Sequence, residues 1–313
     1  MAKQRLGVVI NPVAGAGRGR SQGGRAVELL SALGYEVIDL SAEQGLAQAR
    51  AQAKQGLFSG LDALIMVGGD GMVNLGVNLV ATTNLPLGVI AQGTGNDIAR
   101  SLGLPIRDTK SAVAQIDQAL TTGQIAAIDA VNVTDAVHSR MAMWYAGVLS
   151  AGFDAAVNAR TNRLRWPSGR GRYVRALGKE IANLKTFGYR VTVDDQVFDL
   201  AGTLVSVANG QAIGGGMRIA PQARFNDGLL DVVLAGQLSR FGLIKVFPKV
   251  YRGGHLGHPA VRLVRGRMVL IEPNLACGAH PPQAMADGEM LGPLPLRCQV
   301  IPAAVRVLAQ ITP

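Results

Sequence analysis

Three times in the first hundred residues, an apolar run short enough to be a buried strand ends abruptly in a turn built on glycine. Leu6–Ile10 runs into Asn11-Pro12-Val13-Ala14-Gly15-Ala16-Gly17-Arg18-Gly19-Arg20. Ala63–Val67 runs into Gly68-Gly69-Asp70-Gly71-Met72-Val73-Asn74, and Leu87–Ile90 into Gln92-Gly93-Thr94-Gly95-Asn96-Asp97-Ile98-Ala99-Arg100. A further strand is expected at Glu36–Leu40, and Ser21–Gly34, Gly45–Gly56 and Met72–Ala81 have the length and composition of helices. Strands alternating with helices imply a parallel sheet with crossover helices. Such sheets bind ligands beyond the carboxyl ends of their strands, where all three glycine turns fall.

The pattern changes after Asp129. Period-2 runs follow at Arg190–Val193, Thr203–Val207, Leu229–Leu234, Val261–Val264, Met268–Ile271 and Val305–Ile311, with a turn signal at Asp194-Asp195 and one helix over Tyr173–Thr186. Short strands between turns suggest an antiparallel sandwich. The expected fold class is therefore α/β: a Rossmann-like parallel-sheet domain over residues 1–128, then an antiparallel β-sandwich domain over 129–313. The segment from about 295 to 313 is free to return to the first domain. With 48% hydrophobic and 17% charged residues, the chain has the means to bury two cores.

Each glycine turn has a plain structural reading and a chemical one. Glycines let backbone amides approach a phosphate, and Arg18 and Arg20 add cations. The first turn lacks the Gly-Lys-Ser/Thr of a Walker A loop, and Arg20 breaks a full Gly-x-Gly-x-x-Gly. Asp70 at a strand end can organise Mg²⁺ or meet an acceptor hydroxyl, or simply cap a helix. Thr94 offers a hydroxyl, while Asn96 and Asp97 suit an N-cap. Ser21, within Gly-x-Ser-x-Gly, also suits a helix N-cap better than a nucleophile elbow. His255 and His258, in a glycine-rich stretch, read as loop residues. Three such turns on successive strands of one sheet edge carry more weight than any one of them.

A net charge of +10 asks for an anionic partner. Nucleic acid is disfavoured, because aromatic residues make up only 4% and stacking platforms would be scarce. Two cysteines, Cys277 and Cys298, make no disulfide framework, and no apolar stretch is long enough to span a bilayer. A cytoplasmic protein touching the inner membrane face peripherally is expected. From Ala155 to Lys179 there is no acidic residue, and Arg172, Arg175 and Lys179 share a helical face opposite Val174, Leu177, Ile181 and Leu184. That basic face is a candidate contact for anionic lipid headgroups.

Taken together, Asn-Pro-x-Ala-Gly-x-Gly-Arg, Gly-Gly-Asp-Gly and Gly-Thr-x-Asn-Asp-x-Ala-Arg resemble the diacylglycerol kinase catalytic family, which includes bacterial soluble lipid kinases and is related to sphingosine and ceramide kinases. Asn209, Gly214-Gly215-Gly216-Met217, Ala220-Pro221, Asn226-Asp227-Gly228-Leu229-Leu230-Asp231, Asp287-Gly288-Glu289 and Pro302–Val307 extend the resemblance over nearly the whole chain. It implies an ATP-dependent lipid kinase with its active site in the interdomain cleft, and diacylglycerol as the acceptor converted to phosphatidic acid. ATP would be held by Asn11, Pro12, Val13, Ala14 and Gly15, by Ser41, by Gly68, Gly69, Asp70, Gly71, Met72, Val73 and Asn74, and by Thr94. Glu289 matches the general base, and Asp70 the residue that organises the site. Asp227, with the carbonyls of Arg224 and Leu229, matches a structural Mg²⁺ site. Met72 replaces a usual Thr or Ser, so that only its backbone amide is left for a phosphate, and Leu75 replaces a usual Glu. Sphingosine- or ceramide-type lipid kinases, an NAD kinase-like enzyme, a catalytically weak lipid-binding homologue and a Rossmann-type oxidoreductase using Asp39 stay open. So does the oligomeric state, a homodimer included.

Overall fold

The computed structural model describes residues 3–41, 51, 60–164, 166 and 170–309. The expected helix Gly45–Gly56 falls almost wholly outside the described residues. The chain divides into two compact units: one of residues 1–130, 214–216 and 301–313, the other of 131–213 and 217–300.

In the first unit, strands β1 (Arg5–Ile10), β2 (Glu36–Asp39), β3 (Ala63–Gly68) and β4 (Leu87–Ala91) form a parallel sheet in the order β4-β3-β1-β2. All six residues of β3 are buried, as expected of a central strand covered on both faces. On one face, Leu6, Val8, Ile65 and Val67 pack with Ala26 and Leu30 of the helix Gly19–Ala32 and with Val113 and Ile116 of the helix Thr109–Thr122. On the other lies the helix Asp70–Val80, so close that a Cβ on Gly76 would sit 2.8 Å from Met66 and 2.7 Å from Leu87. The last strand, β15 (Leu296–Val307), brings Val307 beside Leu87 in parallel register and adds Leu308 to this core.

The second unit is antiparallel. Its sheet path runs β14-β13-β7-β9-β8-β12-β15, from Glu289–Gly292 and Ala284–Ala286 through Val148–Gly152, Gln196–Ala208, Phe187–Val193 and Met268–Pro273 to β15. Strand β10 (Leu230–Gly236) pairs with β9 and with β11 (Val261–Gly266), and β5 (Ala126–Asp135) pairs with β6 (Met141–Tyr145). Alternating residues such as Val205 and Val207, Val232 and Leu234, and Val191 and Val193 fill one core with Tyr145 and Tyr189. The α/β reading, a parallel sheet followed by an antiparallel sandwich, describes the molecule.

Several local readings need correction. Ser21 lies inside the helix Gly19–Ala32 rather than at its cap, and its hydroxyl donates to Arg18 O. The basic helix runs Arg170–Ala182, and among its described side chains Ala176, not Val174, is fully buried; Val174 is 64% exposed because, at about 100° per residue, it points about 160° away from Ala176. His255 lies in a short 3-10 helix, Gly254–Gly257, rather than a loop, and is buried with its Nε2 at 3.0 Å from Ile219 O. The final strand starts at Leu296 rather than near Val305.

These burial differences set an expectation. Ile65→Ala, in the middle of β3, should cost about 2–5 kcal/mol, whereas Val174→Ala should stay within about 0.5 kcal/mol. Urea melts followed by circular dichroism would check both.

Candidate functional site

The turn after β1 is fixed first. Asn11 N donates to Val67 O at 3.0 Å, and the Asn11 side chain accepts from Val13 N at 3.2 Å, an Asx turn. Gly15 has φ +60°, and any Cβ there would collide with the carbonyl of Gln92. Arg18 is drawn back to Gly15 O at 3.0 Å, so its guanidinium closes the turn.

The turn after β3 places Asp70 in the first turn of the helix Asp70–Val80, where a carboxylate complements the helix dipole. Its Oδ1 accepts from Ile98 N at 3.3 Å. A Cβ on Gly95 would lie 2.7 Å from Asp70 Oδ2, so the third turn wraps this carboxylate. Met72 is 2% exposed, with its side chain laid over Gly68, and its amide donates to Gly69 O at 2.9 Å. The amide expected to remain for a phosphate is therefore already used within the helix's first turn.

The turn after β4 is held by Asn96 in the left-handed region (φ 54°), whose side chain accepts from Gly93 N at 2.8 Å and donates to Gly93 O at 3.0 Å. Asn96 does stand at the N-cap position of the helix Asp97–Ser101, but its side chain grips Gly93 instead of a helix amide. Asp97 accepts two amides, Gly215 N at 2.7 Å and Gly216 N at 2.6 Å. The three glycines Gly214, Gly215 and Gly216 all have positive φ, which lets their amides turn onto one carboxylate. Burial raises the Asp97 carboxyl, and the two amides pull it back.

The three turns enclose a cleft of about 270 Å³ lined by Asn11, Val13, Ala14, Gly15, Gly69, Gly71, Met72, Gly93 and Thr94. Eight of these were expected from the sequence; Gly93 was not, although its neighbour Thr94 was. Pro12, Ser41, Gly68, Asp70, Val73 and Asn74 are not among the lining residues. Ser41 instead accepts Ile10 N on its hydroxyl at 2.8 Å and so ends β1. Asn74 is buried and bonds Asn78 at 3.2 Å. Chemically, the cleft offers glycine backbone, one Asn and one exposed Thr hydroxyl, a surface suited to anionic oxygens.

In the second unit, β13 and β14 meet at Asp287-Gly288, both with positive φ, a type I′ hairpin turn. Asp287 accepts the amides of Ala146, Gly147 and Val148 at 3.0, 3.1 and 3.0 Å. This clamp sets the start of β14, where Glu289 is exposed. Near Asp227, whose Oδ1 accepts Leu229 N at 3.0 Å, lies buried Asp231. Asp231 Oδ1 is paired with Arg265 Nε at 2.8 Å, but its Oδ2 is buried with no partner. Burial raises the Asp231 carboxyl; Arg265 offsets this and the charge of Asp227 adds to it. An orphaned carboxylate oxygen beside a second carboxylate is the donor chemistry a hard cation takes, but it belongs to Asp231, outside the expected set of Asp227 with the Arg224 and Leu229 carbonyls; among the described residues no group of three or more His, Cys, Asp or Glu could hold a metal ion.

The same unit holds an apolar cavity of about 80 Å³ whose lining includes Phe153, Tyr173, Met217, Leu238, Phe247 and Asp154. Asp154 keeps some exposed surface as a residue, but its Oδ2 has none and no partner; the same is true of His255 Nδ1. Burial pushes the Asp154 carboxyl up to about 6, against bonds from Ser150 and the Ala155 amide. In the basic helix, Arg175 donates to Trp166 O at 3.0 Å and lies 5.7 Å from the indole ring; Lys179 is exposed, and the side chain of Arg172 lies outside the described residues. Among the described residues no helix is long and apolar enough to cross a membrane.

Residues 5–133 match the family model described as the diacylglycerol kinase catalytic domain, and residues 147–309 that described as the YegS C-terminal NAD kinase beta sandwich-like domain. The chain is similar to a diacylglycerol kinase of Mycobacterium tuberculosis (strain CDC 1551 / Oshkosh), 33% identical over 97% of this chain and 94% of the relative. A diacylglycerol kinase of Bacillus subtilis (strain 168) is 24% identical over 93% and 92%. Its fold is similar to the crystal structure of a diacylglycerol kinase from Bacillus anthracis str. Sterne, with a TM-score of 0.70, 21% identity and coverage of 98% and 97%.

Two measurements test these local readings. A Cβ on Gly93 would strike the Cα of Gly69, so Gly93→Ala should force the turns apart and lower stability by about 1–3 kcal/mol, seen as a lower Tm. The raised Asp154 carboxyl means that the native chain holds an extra proton between about pH 3.8 and 6, so stability falls as pH rises through that window. Above it, the full cost of about 3 kcal/mol persists. Asp154→Asn should recover about 1–3 kcal/mol near neutral pH and flatten the dependence, as read by urea melts across pH.

Proposed function

Because this chain belongs to the diacylglycerol kinase catalytic family, we propose that it transfers the γ-phosphoryl group of ATP to a lipid hydroxyl, with diacylglycerol as acceptor and phosphatidic acid as product. The observation that carries this reading is the cleft where three strand-end turns meet with glycine backbone and Thr94 toward one space. Phosphoryl transfer needs alignment and charge stabilisation more than covalent help from the protein. The triphosphate lies along the turns of Asn11–Gly15, Gly69–Met72 and Gly93-Thr94, and Asp70, behind that lining with Oδ1 on Ile98 N, organises the site by holding the second and third turns together. Glu289 accepts the proton of the lipid hydroxyl as its oxygen bonds the γ-phosphorus and the bond to the bridging oxygen of ADP breaks. Mg²⁺, when held by Asp227 and the carbonyls of Arg224 and Leu229, supplies fixed positive charge in the second unit. An acyl chain finds a matching apolar lining in the cavity around Phe153, Met217 and Phe247. Reaction with such an acceptor takes place at a membrane surface.

Labelled ATP offered with diacylglycerol, monoacylglycerol, phosphatidylglycerol, sphingosine and ceramide in turn should give labelled phosphatidic acid above the other products. No labelled lipid from any acceptor would end the kinase reading. Glu289 is exposed and bonds no other described side chain, so Glu289→Gln should leave Tm unchanged and slow turnover about 10²–10⁴-fold. A rate within a few fold of the wild type would remove Glu289 from the mechanism.

A further inference from the structure

The helix Arg240–Val250 of the second unit has two apolar faces and only one of them is covered. Leu243, Val246, Phe247 and Val250 line the cavity. At about 100° per residue, Phe241, Ile244 and Pro248 fall together roughly 140° round the helix from that face, with Tyr251 between Ile244 and Phe247. Tyr251 continues the helical backbone, with its ring held edge-on to Phe247 at 6.3 Å. All four are exposed, Phe241 by 79% and Ile244 by 52%. An outward aromatic next to an outward isoleucine on a short helix is costly in water and points to a partner.

The charges around this row say which partner. Arg240 borders it on one side and Lys245, Lys249 and Arg252 on the other, all exposed. Residues 232–271 contain seven arginines and lysines and no acidic residue. None of the four cations takes part in an ion pair among the described residues. A second copy of the chain docking through this face would press like charges together with no carboxylate between them. An apolar row flanked by cations instead matches a helix that lies in the plane of a bilayer, with its side chains among the acyl groups and its cations among anionic headgroups. By contrast, in the basic helix Arg170–Ala182, Arg175 is already engaged by Trp166 and Glu180 pairs with Arg160.

We infer that the outer face of Arg240–Val250, with Tyr251, is a membrane-docking surface for bilayers containing anionic phospholipid, inserting Phe241 and Ile244. The inference deepens the lipid-kinase reading by naming the surface through which the protein meets its substrate's membrane. The face entering the bilayer and the wall of the apolar cavity are then two sides of one helix.

The test is sedimentation of the full chain with phosphatidylcholine vesicles, with and without phosphatidylglycerol and in the absence of nucleotide. The wild type should bind the anionic vesicles and lose binding as salt rises. Phe241→Ser with Ile244→Ser should weaken binding about tenfold or more, and Lys245→Gln with Lys249→Gln about fivefold for each cation removed. Phe241→Leu should retain binding, and all variants should keep the wild-type Tm because the altered side chains are exposed. Wild-type binding by either double variant overturns the inference. So does a change in elution volume on a sizing column with vesicle binding unaltered, which would make the face a contact between copies. Transfer to short-chain diacylglycerol dispersed in detergent should proceed in both double variants as in the wild type. Its absence in the wild type would sink the kinase reading and leave the vesicle result to stand or fall by itself.

Discussion

The approach of the backbone at Gly69 to the backbone at Gly93 is the constraint on which the cleft depends. Neighbouring strands lie about 4.8 Å apart, and the turns beyond them normally diverge to make room for side chains. Here a Cβ on Gly69 would be only 3.0 Å from the Cα of Gly93, so the absence of side chains lets the two turns lean together. Gly15 then folds over Gln92 from the third side. The side chains that could hold this arrangement are turned toward the protein itself: Asn96 grips Gly93, Arg107 reaches Gly93 O at 3.3 Å, and Asp97 holds the triglycine turn. What is left facing the opening is mostly peptide backbone, which carries no net charge and costs little reorganisation when an anion arrives.

The second unit solves the same problem of placement differently. Asp287, itself in a left-handed turn, gathers three successive amides, two between β6 and β7 and one from the first residue of β7, and so sets the hairpin that carries Glu289. Tyr145 and Tyr189 are buried, with their hydroxyls donating to Val207 O and Ala151 O at 3.0 Å each. Such pairing makes burial of a phenol tolerable. The unsatisfied atoms of Asp154, Asp231 and His255 stand out against that economy. Asp154 and His255 line the apolar cavity, and Asp231 lies next to the charge of Asp227.

Much of the first unit is legible in the sequence because its strands are continuous apolar runs and its turns are marked by glycine. What the sequence hides is which polar groups are already spent. Ser41 and the Met72 amide look available in a motif, yet one ends β1 and the other closes a helical turn. Asp97 and the glycines Gly214–Gly216 are both visible as motifs, but 118 residues separate Asp97 from Gly215, and no local rule pairs them. The helix Thr109–Thr122 is a different kind of omission: its cap at Asp108 and its left-handed Gly123 are standard end signals, and Ala112, Val113, Ile116 and Ala119 have helical spacing. Val174 was misplaced because helical spacing fixes angles between residues but not the direction of the core.

The return of β15 to the parallel sheet has a consequence for biosynthesis. Leu308 fills the same core as Leu6 and Ile65, and Ala304 O holds Thr82 N at 2.7 Å. A nascent chain emerging from the ribosome with its first hundred residues already synthesised would thus wait, short of one flank of its sheet, until the stretch beyond residue 300 appeared. The antiparallel unit also takes Leu296, Cys298 and Val300 of that strand into its core, so neither unit has all its parts until the same late stretch is made.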